Sequence, residues 1–287
     1  MANTIGIIGG SGFYDMEGFS QRESLALETP FGTPSAPVVR GTLGDVPVLF
    51  IARHGEGHRL LPHEVPYRAN VHALKQLGAD VVLGISAVGS LREEIEPGHL
   101  VFVDQYIDRS WGRPSTFFGE GCVAHVAFGD PVCHDVRETL VRTAAELGFA
   151  HHERGSFVCM QGPQFSTRAE SELYRSWGAD VIGMTNLHEA RLCREAELCY
   201  AAVALATDYD CWRTGEEVSV EAVIEVLRAN IERAKRLVAR AVASLATLSC
   251  SRGCRTALEN AIMTDPRVIP ESTRRRLEVI AGRYLQP

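Results

Sequence analysis

The residue types best suited to hold an anion or move a proton are gathered in a few short stretches that lie far apart along the chain. Gly9-Gly10-Ser11-Gly12 carries almost no Cβ atoms, so its backbone N–H groups and the Ser11 hydroxyl can approach an anion closely. It is neither a dinucleotide fingerprint nor a P-loop, because Asp15 occupies the third glycine position and no Gly-Lys-Ser/Thr follows. A plain strand-to-loop turn is the competing reading. Arg53 brings a guanidinium fork that matches phosphate, and His54 adds a second donor. His54 and His58 also have the spacing of a metal pair, but Gly55 and Gly57 argue against the helix on which His-Glu-x-x-His zinc sites depend. Ser86-Ala87-Val88-Gly89-Ser90-Leu91 reads as a second small-residue turn at a strand end. The segment from Gly84 to Val88 lacks the last glycine of a nucleophile elbow, so the Ser86 hydroxyl fits anion binding rather than covalent attack.

Asp208 and Asp210 follow the apolar run Leu198 to Ala206, which delivers two carboxylates to the end of a buried strand. Ionised groups so close to a core need partners, because desolvating them alone is costly. Helix capping or a salt bridge is one account. The other is an acid pair serving a base such as adenine, which offers an amine donor and a ring nitrogen that gains a proton as the base departs. Either Ser166 or Thr167 suits the N-cap of a helix whose first turn carries Glu170. Phe165 is a core residue or a stacking face; Met184 is a soft apolar wall and Thr185 another hydroxyl.

Positioning these groups requires an α/β framework. β-branched runs near Thr4 to Ile8, Val38 to Thr42, Pro47 to Ala52, Asp80 to Ile85, Leu100 to Tyr106, Gly155 to Gln161, Asp180 to Met184 and Leu198 to Ala206 read as strands. They alternate with helical patterns over Tyr67 to Leu77, Asp135 to Leu147, Arg168 to Trp177, His188 to Ala196 and Ser219 to Leu245. The phrase Gly-Ala-Asp recurs at Gly78 and Gly178, as expected where a helix stops on glycine and turns into a strand. The break at Ser249 divides a single domain, 1–248, from a helical extension, 249–287. The basic run Arg274-Arg275-Arg276 reads as a solvated helix face.

Composition narrows the function. At 287 residues, with 45% hydrophobic and 23% charged residues, the chain has the make-up of a folded globular protein. Its net charge of −7 has the wrong sign for a surface that grips nucleic acid or anionic lipid, so any anion is held locally. No apolar run is long enough for a membrane span, and the N-terminus lacks the basic segment of a secretory signal. The eight cysteines, mostly within apolar segments, suit reduced thiols and a cytoplasmic location. Cys250 and Cys254 read as reduced thiols too, although a turn at Gly253 can bring them together. No metal and no cofactor are expected.

Taken in order, Ile5 to Phe13, Thr29 to Ser35, Ala52 to Gly55, Gly89 to Glu94, Gln161 to Ser166, Arg168 to Ser171, Trp177 to Asp180 and Ala206 to Trp212 resemble the 5′-methylthioadenosine phosphorylases of the trimeric purine nucleoside phosphorylase family. The resemblance extends to about Leu245 and fades beyond Ser249. It implies a mixed, distorted central sheet flanked by helices, a homotrimer, and phosphorolysis of 5′-methylthioadenosine, with inorganic phosphate as co-substrate, to adenine and 5-methylthioribose 1-phosphate. On the matching positions it implies a phosphate cradle of Ser11, Arg53, His54, Ser86, Ala87 and Thr185. It places Phe165 and Met184 as nucleoside walls, with Ser166, Asp208 and Asp210 on the purine and the two acids as catalytic groups. Val220, Val223 and Ile224 would form the apolar pocket for a methylthio group, and His125 would be lent by a neighbouring subunit. Ser11 and Ser86 stand where relatives often carry threonine, which keeps the hydroxyl. The rival readings are phosphorolysis of another 5′-deoxynucleoside, a 6-oxopurine phosphorylase, which the acid pair disfavours, and a nucleoside-binding module without catalysis.

Overall fold

The computed structural model describes residues 2–213 and 220–286; the side chains of Ser11, Val220 and Val223 lie outside the described set. Eleven strands form one sheet: β1 (Thr4–Gly9), β2 (Phe19–Leu25), β3 (Val38–Leu43), β4 (Val46–Ala52), β5 (Ala79–Ser90), β6 (Leu100–Val103), β7 (Gln105–Arg109), β8 (His151–His152), β9 (Ser156–Met160), β10 (Val181–Gly183) and β11 (Cys199–Asp208). The helices are α1 (Tyr67–Gln76), α2 (His134–Glu146), α3 (Arg168–Ser176), α4 (Leu187–Glu195), α5 (Val220–Ala246) and α6 (Glu271–Ala281). The main path runs β2-β3-β4-β1-β5-β10-β9-β7, with β11 joined to β5 and β6, and β8 to β6.

Side chains alternate across the pleat and divide the core in two. On β5, Val82 faces a cluster built with Val71 and Leu74 of α1, Leu192 of α4 and Leu277 of α6. Val81, Leu83 and Ile85 face the opposite layer, with Leu140 of α2 and Leu237 of α5. The sheet is thus mixed and covered by helices on both faces. Helices α1 and α3 end as the sequence indicates, at Leu77 and Trp177, with Gly78 and Gly178 following at φ +84° and +81°. Thr167, not Ser166, caps α3, in a capping box with Glu170.

Several elements depart from the sequence reading. β2 was not expected, because only Phe19 of its residues is buried and an exposed polar edge strand has no apolar alternation to reveal it. The run Leu100 to Tyr106 is not one strand: it breaks at Asp104, whose N–H and Oδ1 bond Gly155 across the turn. β6 then pairs with β11 while β7 pairs with β9. Ser86 to Ser90 is not a turn but the second half of β5. The basic run of α6 is not wholly solvated either. Arg276 pairs with Glu120 and lies over the Phe31 ring, and Arg274 donates to Leu285 O and Pro266 O, whereas Arg275 remains exposed.

The long β5 is the spine of the molecule. One side is occupied by β11 as far as Gly89; the other holds β1 up to Gly84 and the antiparallel β10 from Gly89 onward. A Cβ on Gly84 would lie 2.1 Å from the Tyr200 hydroxyl and 2.7 Å from Glu189 Oε2, so this position must be glycine for the cluster above it to close. We expect Gly84→Ala to destabilise the fold by about 1–3 kcal/mol through overpacking, measured as a lower urea midpoint with an unchanged slope.

Candidate active site

Between Gly84, where β1 departs, and Gly89, where β10 arrives, one side of β5 is free of any strand among the described residues. The loops after β1, β4 and β10 converge on this gap, the kind of crevice at strand ends in which α/β folds place ligands. Arg53, one residue beyond β4, fills its floor and is 2% exposed. Its Nη1 donates to Ile85 O at 2.7 Å, and its Nη2 to Ile8 O and Asn186 Oδ1, both at 3.1 Å. Nε and Nη2 also grip the carboxylate of Glu189, itself 1% exposed. Burial works against the Arg53 cation, but the Glu189 carboxylate outweighs it and the pKa rises above its ordinary value. The fork expected to point at an anion is therefore directed inward, because a buried guanidinium must have its donors satisfied.

Asn186 relays this anchor to the strand. Held at φ +70° ahead of α4, it accepts from Arg53 and donates through Nδ2 to Ser86 Oγ at 2.9 Å. Ser86 is half-buried and Ala87 exposed, so both remain accessible from the gap, while Thr185 is buried beside Asn186. His54 is half-buried, with Nδ1 2.8 Å from Leu60 O and its ring stacked on His58. Burial, helped by the Arg53 charge, pushes its pKa down to about 4. A neutral ring whose Nδ1 donates to a carbonyl leaves Nε2 as a lone-pair acceptor. In this state His54 can accept at Nε2 from a protonated oxygen, where the sequence reading has it as a second donor.

Three residues further along β5, about 10 Å at the usual strand rise, stand the acids. A register shift between Ala206 and Asp208 sets Asp208 opposite Gly89. Such a bulge re-aims the side chain that follows it. A Cβ on Gly89 would approach Asp208 Oδ2 at 3.3 Å and Asp210 Cβ at 3.2 Å, so this glycine lets both carboxylates close over the strand. Asp210 is buried and accepts from Ser166 Oγ at 3.0 and 3.2 Å and from Ser171 Oγ. Among the described residues Asp208 receives the Thr207 hydroxyl, at 2.6 Å. Burial raises the Asp208 pKa; Thr207 lowers it in part, and the neighbouring charge of Asp210 adds to the rise. The two acids are therefore differentiated, one provided with donors and the other disposed to keep a proton.

The structure gathers Arg53, Ser86, Thr185, Asp208, Asp210 and Ser166 around β5. Met184 is half-buried, its carbonyl fixed at 2.6 Å by Nη1 of the buried Arg113. Phe165 is 84% exposed and packs as no wall in this conformation, and Ile224 is 42% exposed. His125 lies apart on an exposed stretch whose N–H bonds Ala261 O in the C-terminal extension. Glu189, Asn186, Ser171 and Arg113 were not singled out from sequence. Asn186 could have been, since asparagine between a strand end and a helix is suited to a positive φ.

Residues 4–243 match the phosphorylase superfamily. The S-methyl-5′-thioadenosine phosphorylase of Geobacter sulfurreducens is 51% identical over 99% of this chain and 100% of its own. The chain belongs to the S-methyl-5′-thioadenosine phosphorylase family. A relative of the same name from Koribacter versatilis is 52% identical over 99% of this chain and 97% of its own. A methylthioadenosine phosphorylase from an antarctic soil metagenomic library has the same fold, with a TM-score of 0.92 at 45% identity over 100% of this chain and 99% of that one. A variant adenosine/methylthioadenosine phosphorylase from Schistosoma mansoni, solved in complex with methylthioadenosine, aligns at a TM-score of 0.83 with 36% identity, over 89% of this chain and 96% of that one.

In this member of the family the buried Arg53–Glu189 pair holds the β1, β4 and β10 loops together. Glu189→Gln should leave an uncompensated buried cation and cost about 3–5 kcal/mol of stability, measured by urea denaturation beside the parent protein.

Proposed function

We propose that the chain splits 5′-methylthioadenosine with inorganic phosphate, releasing adenine and 5-methylthioribose 1-phosphate. The observation that carries this reading is the disposition of two chemically distinct groups along one uninterrupted strand. The hydroxyl of Ser86 and the loops anchored by Arg53 lie at one end of the gap, and the Asp208–Asp210 pair lies at the other.

In the proposed reaction, phosphate sits against Ser11, Ser86, Ala87 and Thr185 and donates its own hydroxyl to Nε2 of neutral His54. Arg53 acts as a positioning residue. Phosphate attacks C1′ as the ribosyl group gains positive charge, and the bound anion stabilises that charge while alignment removes the entropy of encounter. Asp208 gives its proton to N7, so that adenine leaves neutral. Asp210, whose oxygens are oriented by Ser166 and Ser171, accepts from the exocyclic amine. A 6-oxopurine would set an oxygen against that acceptor. Phosphate is the only co-reactant the scheme requires.

Met184 and Phe165 flank the nucleoside, Phe165 moving from its exposed position onto the bound base. Val220, Val223 and Ile224 receive the methylthio group, an apolar contact that also admits other 5′-deoxyadenine nucleosides. Residues 1–248 form the catalytic domain and 249–287 an extension; the exposed His125 completes a neighbour's site in a homotrimer. Among the described residues no helix is long and apolar enough to cross a membrane, which accords with action on small molecules in the cytoplasm.

An adenine-release assay on methylthioadenosine, with and without phosphate, tests the reading; equal cleavage in phosphate-free buffer would make the protein a hydrolase instead. Asp208→Asn should lower kcat/KM by about 10²–10⁴-fold. Because Asp208 acts protonated and its pKa is raised, activity should fall as pH climbs above the ordinary carboxylate range. The Asn variant should lack that descending limb, and a limb that persists unchanged would assign the proton to another group.

A further inference from the structure

Four cysteines from distant parts of the chain converge at the base of the C-terminal extension. Cys133 precedes α2, Cys199 opens β11, and Cys250 and Cys254 flank the turn after α5. Their sulfur atoms all lie within 4.8 Å of one another, and Cys133 Sγ is 4.0 Å from Cys250 Sγ. Cys133, Cys199 and Cys254 are buried and Cys250 is half-buried. None of them belongs to the site described above.

We propose that these four thiols bind one Zn²⁺ as a structural tetrathiolate site. Tetrahedral zinc with Zn–S bonds of about 2.3 Å places its sulfurs about 3.8 Å apart, so the cluster needs only a slight contraction. A disulfide would instead have to draw one chosen pair together to about 2.05 Å, and the sulfurs are grouped as a set of four. Cys-x3-Cys spacing falls within the range used by structural zinc sites. It is brought to bear here by Gly253, whose φ of +70° folds Cys254 back toward Cys250.

The surroundings suit the charge such a centre carries. Binding releases the four thiol protons and leaves a zinc–thiolate group of net charge −2, with no change of oxidation state. Cys133 stands at the N-terminal end of α2, where the helix dipole favours a thiolate. The backbone N–H groups of Arg252 and Cys254 face the Cys250 sulfur, and the Arg255 guanidinium faces Cys199. Nε of Arg255 is buried with no hydrogen-bond partner among the described residues, although its Nη2 reaches Asn3 Oδ1 and its Nη1 lies 3.8 Å from Asp80 Oδ1. A dianionic centre supplies what that group lacks. Cys254 also edges a cleft of about 560 Å³ whose lining includes Asp104, Asp130, His134 and Arg137. The site would tie the extension to α2 and β11, replacing the expectation of isolated reduced thiols and no metal.

The test is the zinc content of the full-length protein purified under reducing conditions, followed by exchange with Co²⁺. About one zinc per chain is expected, and cobalt should give the intense visible bands and sulfur-to-metal charge transfer of a tetrahedral tetrathiolate. Cys254→Ser should lower zinc affinity at least about tenfold, while Cys211→Ser, outside the cluster, should leave zinc content unchanged. Zinc-free protein with four alkylatable thiols, disulfide-linked cysteines in the non-reduced protein, or a cobalt spectrum without thiolate charge transfer would each overturn the proposal. The cobalt measurement on the unmutated protein decides the matter even if the serine variant fails to fold.

Discussion

A guanidinium–carboxylate pair buried beneath a gap in the sheet is the constraint from which the rest of the site follows. Arg53 and Glu189 are almost wholly removed from solvent, and a charge so placed must be satisfied on every side or it unfolds its surroundings. The satisfaction comes from Ile8 O at the end of β1, Ile85 O on β5 and Asn186 ahead of α4. The ion pair therefore acts as a keystone for loops that would otherwise vary independently. Through Ile85 O and Asn186 it fixes Ser86 and the backbone around it.

At the other end of the same strand, two like acids stand in unlike surroundings. Asp210 is given hydroxyl donors from Ser166 and Ser171, while Asp208 is desolvated beside the Thr207 hydroxyl and the charge of Asp210. Gly89 eases their approach, because a Cβ there would press on Asp210 Cβ at 3.2 Å and Asp208 Oδ2 at 3.3 Å. The cap of α3 contributes as well. Thr167 takes the capping duty with Glu170, and Ser166 is left free to turn its hydroxyl toward Asp210. A local rule of helix termination thus decides which hydroxyl reaches the acid.

The C-terminal extension is more than a tail laid on the surface. Glu197 accepts from Leu258 N, the Tyr284 hydroxyl and Arg283, so one buried carboxylate on the body organises both ends of the extension. The cysteine cluster lies just after α5, and the pairing of Val123 and His125 with residues 261–263 ties this C-terminal part to an exposed stretch ahead of α2.

What could be read from the sequence alone was whatever depends on near neighbours along the chain. The strand–helix alternation, the glycine stops at Gly78 and Gly178, the capping segment at Thr167 and the polar residues at strand ends all express local periodicity or backbone sterics. The family likeness rode on the same short segments. Tertiary structure decided the rest because it depends on which strands adjoin. A small-residue run at Ser86 to Ser90 reads as a turn until β11 and β10 are seen to pair with it, and β2 offers no buried face to betray it. The inward aim of Arg53 required Glu189, 136 residues away, and the meeting of Cys133 with Cys250 spans 117. No local propensity encodes contacts at such separations; they exist only once the sheet has set its strand order.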